Sequence, residues 1–107
     1  MMSESRITIA DEDRLGNVHP GDILREDFLI GSEIPVAEVA HGAGIDEARL
    51  AALVASKLDV DAATDLRLTR YFGVSEGIFL ALQNDFDLEE AKRALNDELD
   101  RIIPRAA

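Results

Sequence analysis

The chain has 107 residues, 47% of them hydrophobic and 31% charged, and no cysteine. That length fits one domain able to fold on its own core, and the lack of cysteine excludes disulfide staples, a thiol nucleophile and thiolate metal sites. Eleven Lys and Arg face 22 Asp and Glu, a net charge of −11, so most of the surface repels nucleic acid and attracts a basic partner; solubility alone is the plainer use of such charge.

Residues 1–18 read as a polar lead-in. Within it Arg6-Ile7-Thr8-Ile9 alternates polar and apolar, the pattern of one short strand. Such a strand needs a partner, from a second subunit or another protein; otherwise the segment is a tail. Residues 19–107 read as consecutive short helices. Pro20 suits a first helical position, Ile23, Leu24, Phe28 and Leu29 follow at helical spacing, and Gly31-Ser32 breaks the pattern. Pro35 opens a second helix through Val36, Val39 and Ala40, ended by a Gly42-Ala43-Gly44 turn. Asp46 caps a third helix, with Leu50, Leu53 and Val54 inward. Asp61 caps a fourth carrying Leu66, Leu68 and Phe72, which Gly73 ends. Ser75 is expected to cap a fifth with Ile78, Phe79 and Leu82. Asp87 is expected to cap a sixth, where Leu88, Ala91, Leu95, Leu99 and Ile102 form one stripe before Pro104. The stripe suits the chain's own core, or a subunit or partner interface.

The spacing of Ala40, Gly44, Ile45, Leu50 and Leu53 carries more meaning. A helix-turn-helix needs a small residue where its helices touch, a glycine at the tight turn, and apolar residues that lock the second helix onto the first. That second helix can then lie in the major groove. The same spacing also suits any tight helix pair. Other chemistry is poorly supported. His19 and His41 are the only histidines and lack neighbours at metal-ligand spacing, so no metal is expected. His19 suits a helix start, and His41 closes the second helix where a cationic ring is favoured. Glu89-Glu90 and Asp11-Glu12-Asp13 read as solvated surface. Gly42-x-Gly44 follows no strand and is no nucleotide loop. Neither a cofactor nor enzymatic activity is expected. No apolar run approaches the ~18 residues that cross a bilayer, and Met1–Ala10 lacks the apolar segment of a secretory leader, which makes the cytosol the expected location.

Three stretches flank and include this turn: His19-Pro20-Gly21-Asp22-Ile23-Leu24-Arg25-Glu26-Asp27-Phe28-Leu29, Thr64-Asp65-Leu66-Arg67-Leu68-Thr69-Arg70-Tyr71-Phe72-Gly73-Val74-Ser75, and Phe79-Leu80-Ala81-Leu82-Gln83-Asn84-Asp85-Phe86-Asp87-Leu88. With them the chain resembles the HigA/VapI-type antitoxins, a branch of the lambda-repressor-like (Xre-type) helix-turn-helix proteins, from His19 to about Ala91. The resemblance implies five helices around one core. It also implies a homodimer that represses its own operon at a palindromic operator, and that neutralises a cognate basic, RelE-like, mRNA-cleaving toxin. The expected architecture is an all-α, five- to six-helix lambda-repressor-like helix-turn-helix domain over 19–107, with an extended C-terminal helix.

The departures from the family fall on the DNA-reading surface. The family usually places a polar, Gln-like residue at the start of the second helix, where Val36 and Ala37 stand here. The third helix offers Glu47, Ala48, Arg49, Ala51 and Ala52 outward, and of these only Arg49 donates to guanine or phosphate. Asp46 and Glu47 repel phosphate, though Glu47 can accept from a cytosine amine. The family's Asn-Gly-Lys/Arg turn is replaced by Ala55-Ser56-Lys57-Leu58, which keeps the Lys57 charge. The candidate DNA contacts are therefore Arg49, Lys57, Glu47, Ala48 and Ala52, with the alanines facing thymine methyls, and weak binding is expected. Arg67 and Arg70 are the other cations left as candidates for DNA, though pairing with Asp65 and neighbouring acids is the plainer expectation for them. The alternative is a protein-interaction module whose helix-turn-helix no longer reads DNA, its small apolar helix face docking on protein.

Overall fold

The structure, a computed structural model, describes residues 16–106; the strand expected at Arg6–Ile9 lies outside them. Every regular element among the described residues is helical. The first helix, α1 (Pro20–Ile23), starts on a reciprocal cap. The His19 Nδ1 accepts the Gly21 N–H at 2.9 Å, and Asp22 Oδ2 accepts the His19 N–H at 3.3 Å. Pro20 needs no partner at this first position because it has no N–H. The helix continues as a π-helical stretch, Leu24–Ile30, after which the Gly31 N–H bonds to the Glu26 carbonyl five residues back. Gly31 and Ser32 therefore stay helical, contrary to the break expected there, and the helix ends at Glu33, whose φ is 57°.

Helix α2 spans Val36–Ala43 and α3 spans Glu47–Val54. Gly42 lies inside α2 rather than in the turn. It is glycine for another reason: a β-carbon there would run into the Tyr71 ring. Helix α4 (Ala62–Phe72) begins at Asp61, whose Oδ1 accepts the Thr64 N–H at 2.9 Å, and ends at Gly73 with φ 71°. Helix α5 runs unbroken over Ile78–Leu95. The expected fifth and sixth helices are thus one, because no Gly or Pro interrupts 78–95 and Asp87 lies mid-helix. Ser75 does not cap it either; the carboxylate of Asp65, on α4, does, accepting the N–H groups of Gly77, Phe79 and Leu80. A 3-10 turn, Asn96–Arg101, follows a reversal at Asn96, φ 45°. No helix among the described residues is long and apolar enough to cross a membrane.

The described residues divide into two units, Val18–Asp85 and a second formed by 86–106 with 16–17. The first is built on Leu24, Leu29, Val39, Leu50, Leu53, Leu68 and Phe79, all buried. The half-buried Phe28 ring lies 4.9 Å from Phe72 and 5.3 Å from Phe79 between centroids, within the range of favourable aromatic pairs. In the second unit Asn17 Nδ2 donates to the Phe86 carbonyl at 2.7 Å. An Arg93–Glu89 pair spans one helical turn at 3.5 Å. The stripe of Leu88, Ala91, Leu95, Leu99 and Ile102 is exposed, Ile102 at 66%, so it is no part of the core formed by the described residues.

Candidate nucleic-acid interface

Helices α2 and α3 form a helix-turn-helix on the residues whose spacing predicts one. Ala40, 4% exposed, lets the helices approach. Gly44 turns the chain with φ 70°, in the left-handed region where a side chain costs energy. The Ile45 N–H then bonds back to the Ala40 carbonyl at 2.9 Å, and its half-buried side chain packs on the core. Asp46 caps α3 by accepting the Arg49 N–H at 3.2 Å. Leu50 and Leu53 lock α3 inward, at 0% and 1% exposure.

The opposite face of α3 is thereby fixed. Glu47, Ala48, Arg49 and Ala51 are exposed, whereas Ala52 is half-buried. Lys57 lies exposed beyond the helix end, after Ser56 reverses the chain at φ 62° and the Lys57 N–H returns to the Ala52 carbonyl at 2.8 Å. The far end of α3 is clamped to α1. Ser56 Oγ donates to Asp22 Oδ1 at 2.6 Å, and Arg25 donates to the Val54 carbonyl at 2.6 Å and to Asp22 at 3.1 Å. The Ser56 hydroxyl, foremost, holds the Asp22 carboxyl below the usual aspartate range, with Arg25 adding to it. Gly21 sits where α1 crosses the Leu53 carbonyl, and any β-carbon there would collide with that backbone.

The surface around α3 is not basic. Arg49 Nη2 lies 3.7 Å from Asp61 Oδ2, both side chains more than half exposed. Asp61 is held below the usual aspartate range by its bonds to Thr64 first, with Arg49 a smaller cause. Sequence reading assigns Asp61 only its cap; its approach to Arg49 is a tertiary juxtaposition with no local signal. Asp65 pairs with neither Arg67 nor Arg70, contrary to expectation, because it is 1% exposed and committed to the start of α5. Arg67 instead reaches the Ala43 carbonyl at the end of α2, at 3.4 Å. At the start of α2 no side chain caps Pro35. A largely apolar cleft of about 350 Å³ opens there between Leu29, Ile30, Ile34, Pro35, Val36 and Val54, with Arg25 and Glu33 also on its lining.

No family model matches the chain. It is 31% identical over 90 residues to virulence-associated protein I of Dichelobacter nodosus, spanning 81% of this chain and 83% of that protein. Among solved structures it is similar to the Pseudomonas aeruginosa antitoxin HigA with the higBA promoter, at TM-score 0.78 and 27% identity over 86% of this chain and all of that one. The antitoxin GraA in complex with its operator matches at TM-score 0.77 and 28% identity, over 87% of this chain and 94% of that one.

Proposed function

Because this chain belongs to the HigA/VapI-type antitoxin family of Xre-like helix-turn-helix proteins, we infer that it is an antitoxin and an operator-binding autorepressor acting as a homodimer. As a member of this family it is a binding protein, not an enzyme. The observation that carries the reading is the α2–Gly44–α3 geometry, which buries Leu50 and Leu53 and turns Glu47, Ala48 and Arg49 outward. In that arrangement α3 enters the major groove. Arg49 donates to guanine or phosphate, Glu47 accepts from a cytosine amine, and Ala48 and the half-buried Ala52 lie against thymine methyls, while Lys57 meets the backbone. Two cations per subunit make the binding weak and salt-sensitive, and a dimer compensates through two half-sites. DNA-bound relatives support this part of the reading.

The second activity is capture of a basic, RelE-like toxin that cleaves mRNA. The net charge of −11 supports it by speeding encounter with a cationic partner. The exposed stripe from Leu88 to Ile102 offers apolar surface for that contact or for the dimer. Co-expression with the product of a neighbouring reading frame tests it. Co-purification of a small basic protein and relief of its growth arrest are expected. A genome neighbourhood without such a frame, together with no captured toxin, would refute it.

One observation favours a second reading, a protein-interaction module that no longer reads DNA: Arg49 is engaged by Asp61 within the chain. Sequence-specific DNA binding that Arg49→Ala abolishes would exclude that reading.

A further inference from the structure

Two exposed cations stand together on α4. Arg67 and Arg70 stand one turn apart on α4 and line a common cleft of about 600 Å³. Among the described residues Glu76 is the only carboxylate on its lining, and neither arginine is in a salt bridge. Arg67 makes one long contact, 3.4 Å to the Ala43 carbonyl, which leaves most of its donors free. Tyr71 provides a fixed wall. Its ring meets Phe72 edge-on at 5.0 Å, and it packs against the bare α-carbon of Gly42. Leu66, 49% exposed, and Val74 add an apolar side. No residue of α3 lines this cleft.

We propose that this cleft binds a small organic anion, its carboxylate or phosphate held between Arg67 and Arg70 and its apolar body laid over Tyr71, Leu66 and Val74. Guanidinium groups match such headgroups by paired, charge-assisted hydrogen bonds. The volume suits a small ligand, and an apolar wall with a few convergent polar groups is the usual make-up of such sites.

Tyr71 is the only tyrosine and there is no tryptophan, so intrinsic fluorescence reports on the wall of the cleft. The full-length protein is titrated with butyl phosphate, pentanoate and inorganic phosphate, followed by that fluorescence and by calorimetry. Butyl phosphate or pentanoate is expected to bind about tenfold more tightly than inorganic phosphate, for the two or so buried methylene groups that the apolar wall covers. The tighter of the two identifies the headgroup. Arg67→Ala and Arg70→Ala are each expected to weaken binding about tenfold. Arg70 is exposed, so its variant retains the native circular dichroism spectrum. No response up to ~10 mM ligand, equal binding by the arginine variants, or equal affinity for inorganic phosphate would overturn the proposal. Loss of DNA binding in those variants with anion binding unchanged would assign the arginines to nucleic acid and overturn it equally.

Discussion

Asp65 on α4 caps α5 at Phe79: its Oδ1 accepts the Phe79 N–H at 2.9 Å, while its other oxygen takes the Gly77 N–H at 2.7 Å. A helix start leaves its first N–H groups without intrahelical partners, and a carboxylate there also meets the positive end of the helix dipole. The cap is tertiary, joining two helices that share the Leu68–Phe79 core. Asp65→Ala leaves the buried Phe79 N–H and the partly buried Gly77 N–H unmet and is expected to destabilise the protein by about 2–3 kcal/mol. Asp65→Asn keeps an acceptor and should lose less. Urea unfolding of the two variants measures the difference; equal losses would show that a neutral acceptor contributes nothing and that the carboxylate charge carries the cap.

Gly21 is required by packing rather than by backbone freedom. Gly21→Ala drives a methyl group into the Leu53 carbonyl, and the backbone cannot swing aside as a side chain can. The expected cost is about 2 kcal/mol, lowering the Tm by roughly 10 °C. Gly16→Ala, with nothing within 4 Å of the added carbon, should leave the Tm unchanged. Calorimetric scans compare the pair.

Asp22 and Asp61 are both held below the ordinary aspartate range in the folded chain. A depressed folded value means the stabilisation is fully present above the unfolded value near 3.9 and is lost as pH falls below it. Acid therefore weakens the α1–α3 clamp and the α4 cap. Ser56→Ala removes the largest cause at Asp22, so its stability should fall less than that of the parent between pH 5 and pH 3. Urea midpoints at the two pH values test this; equal slopes would show that the Ser56 bond does not set the Asp22 titration.

Asp61→Asn separates two jobs of one residue. Asparagine caps a helix as well as aspartate, so α4 keeps its start. The variant removes an acid from the surface beside α3 and releases Arg49 from its 3.7 Å partner. For the operator-binding reading, DNA affinity should rise about threefold, the scale of an exposed ion pair. Unchanged or lowered affinity with an intact fold would show that Arg49 is not held back by Asp61.

The helix-turn-helix was legible because its determinants are local. Ala40, Gly44, Ile45, Leu50 and Leu53 lie within 14 residues and each has one steric duty; the caps Asp46 and Asp61 act three residues ahead of themselves. What sequence missed is tertiary. Asp65 looked like a surface partner for Arg67 and Arg70, but its acceptors meet α5, 12–15 residues on. Asp87 has the look of a cap because an acid precedes apolar spacing, yet nothing before it breaks the helix. Gly42 reads as a turn residue and is instead a seat for an aromatic ring that arrives from α4. The candidate DNA contacts were legible as residue types, whereas the Arg49–Asp61 approach that tempers them was not.

In the operator-binding reading this helix-turn-helix still reads DNA, through few cations. Fluorescence anisotropy with the duplex upstream of its own gene, at ~50 and ~200 mM salt, tests it most directly. Binding is expected to exceed that to random duplex, to weaken roughly 10²-fold between the two salts for about four phosphate contacts per dimer, and to be lost in Arg49→Ala. No preference for the upstream duplex even at ~50 mM salt would contradict it, leaving α3 as a surface for protein alone.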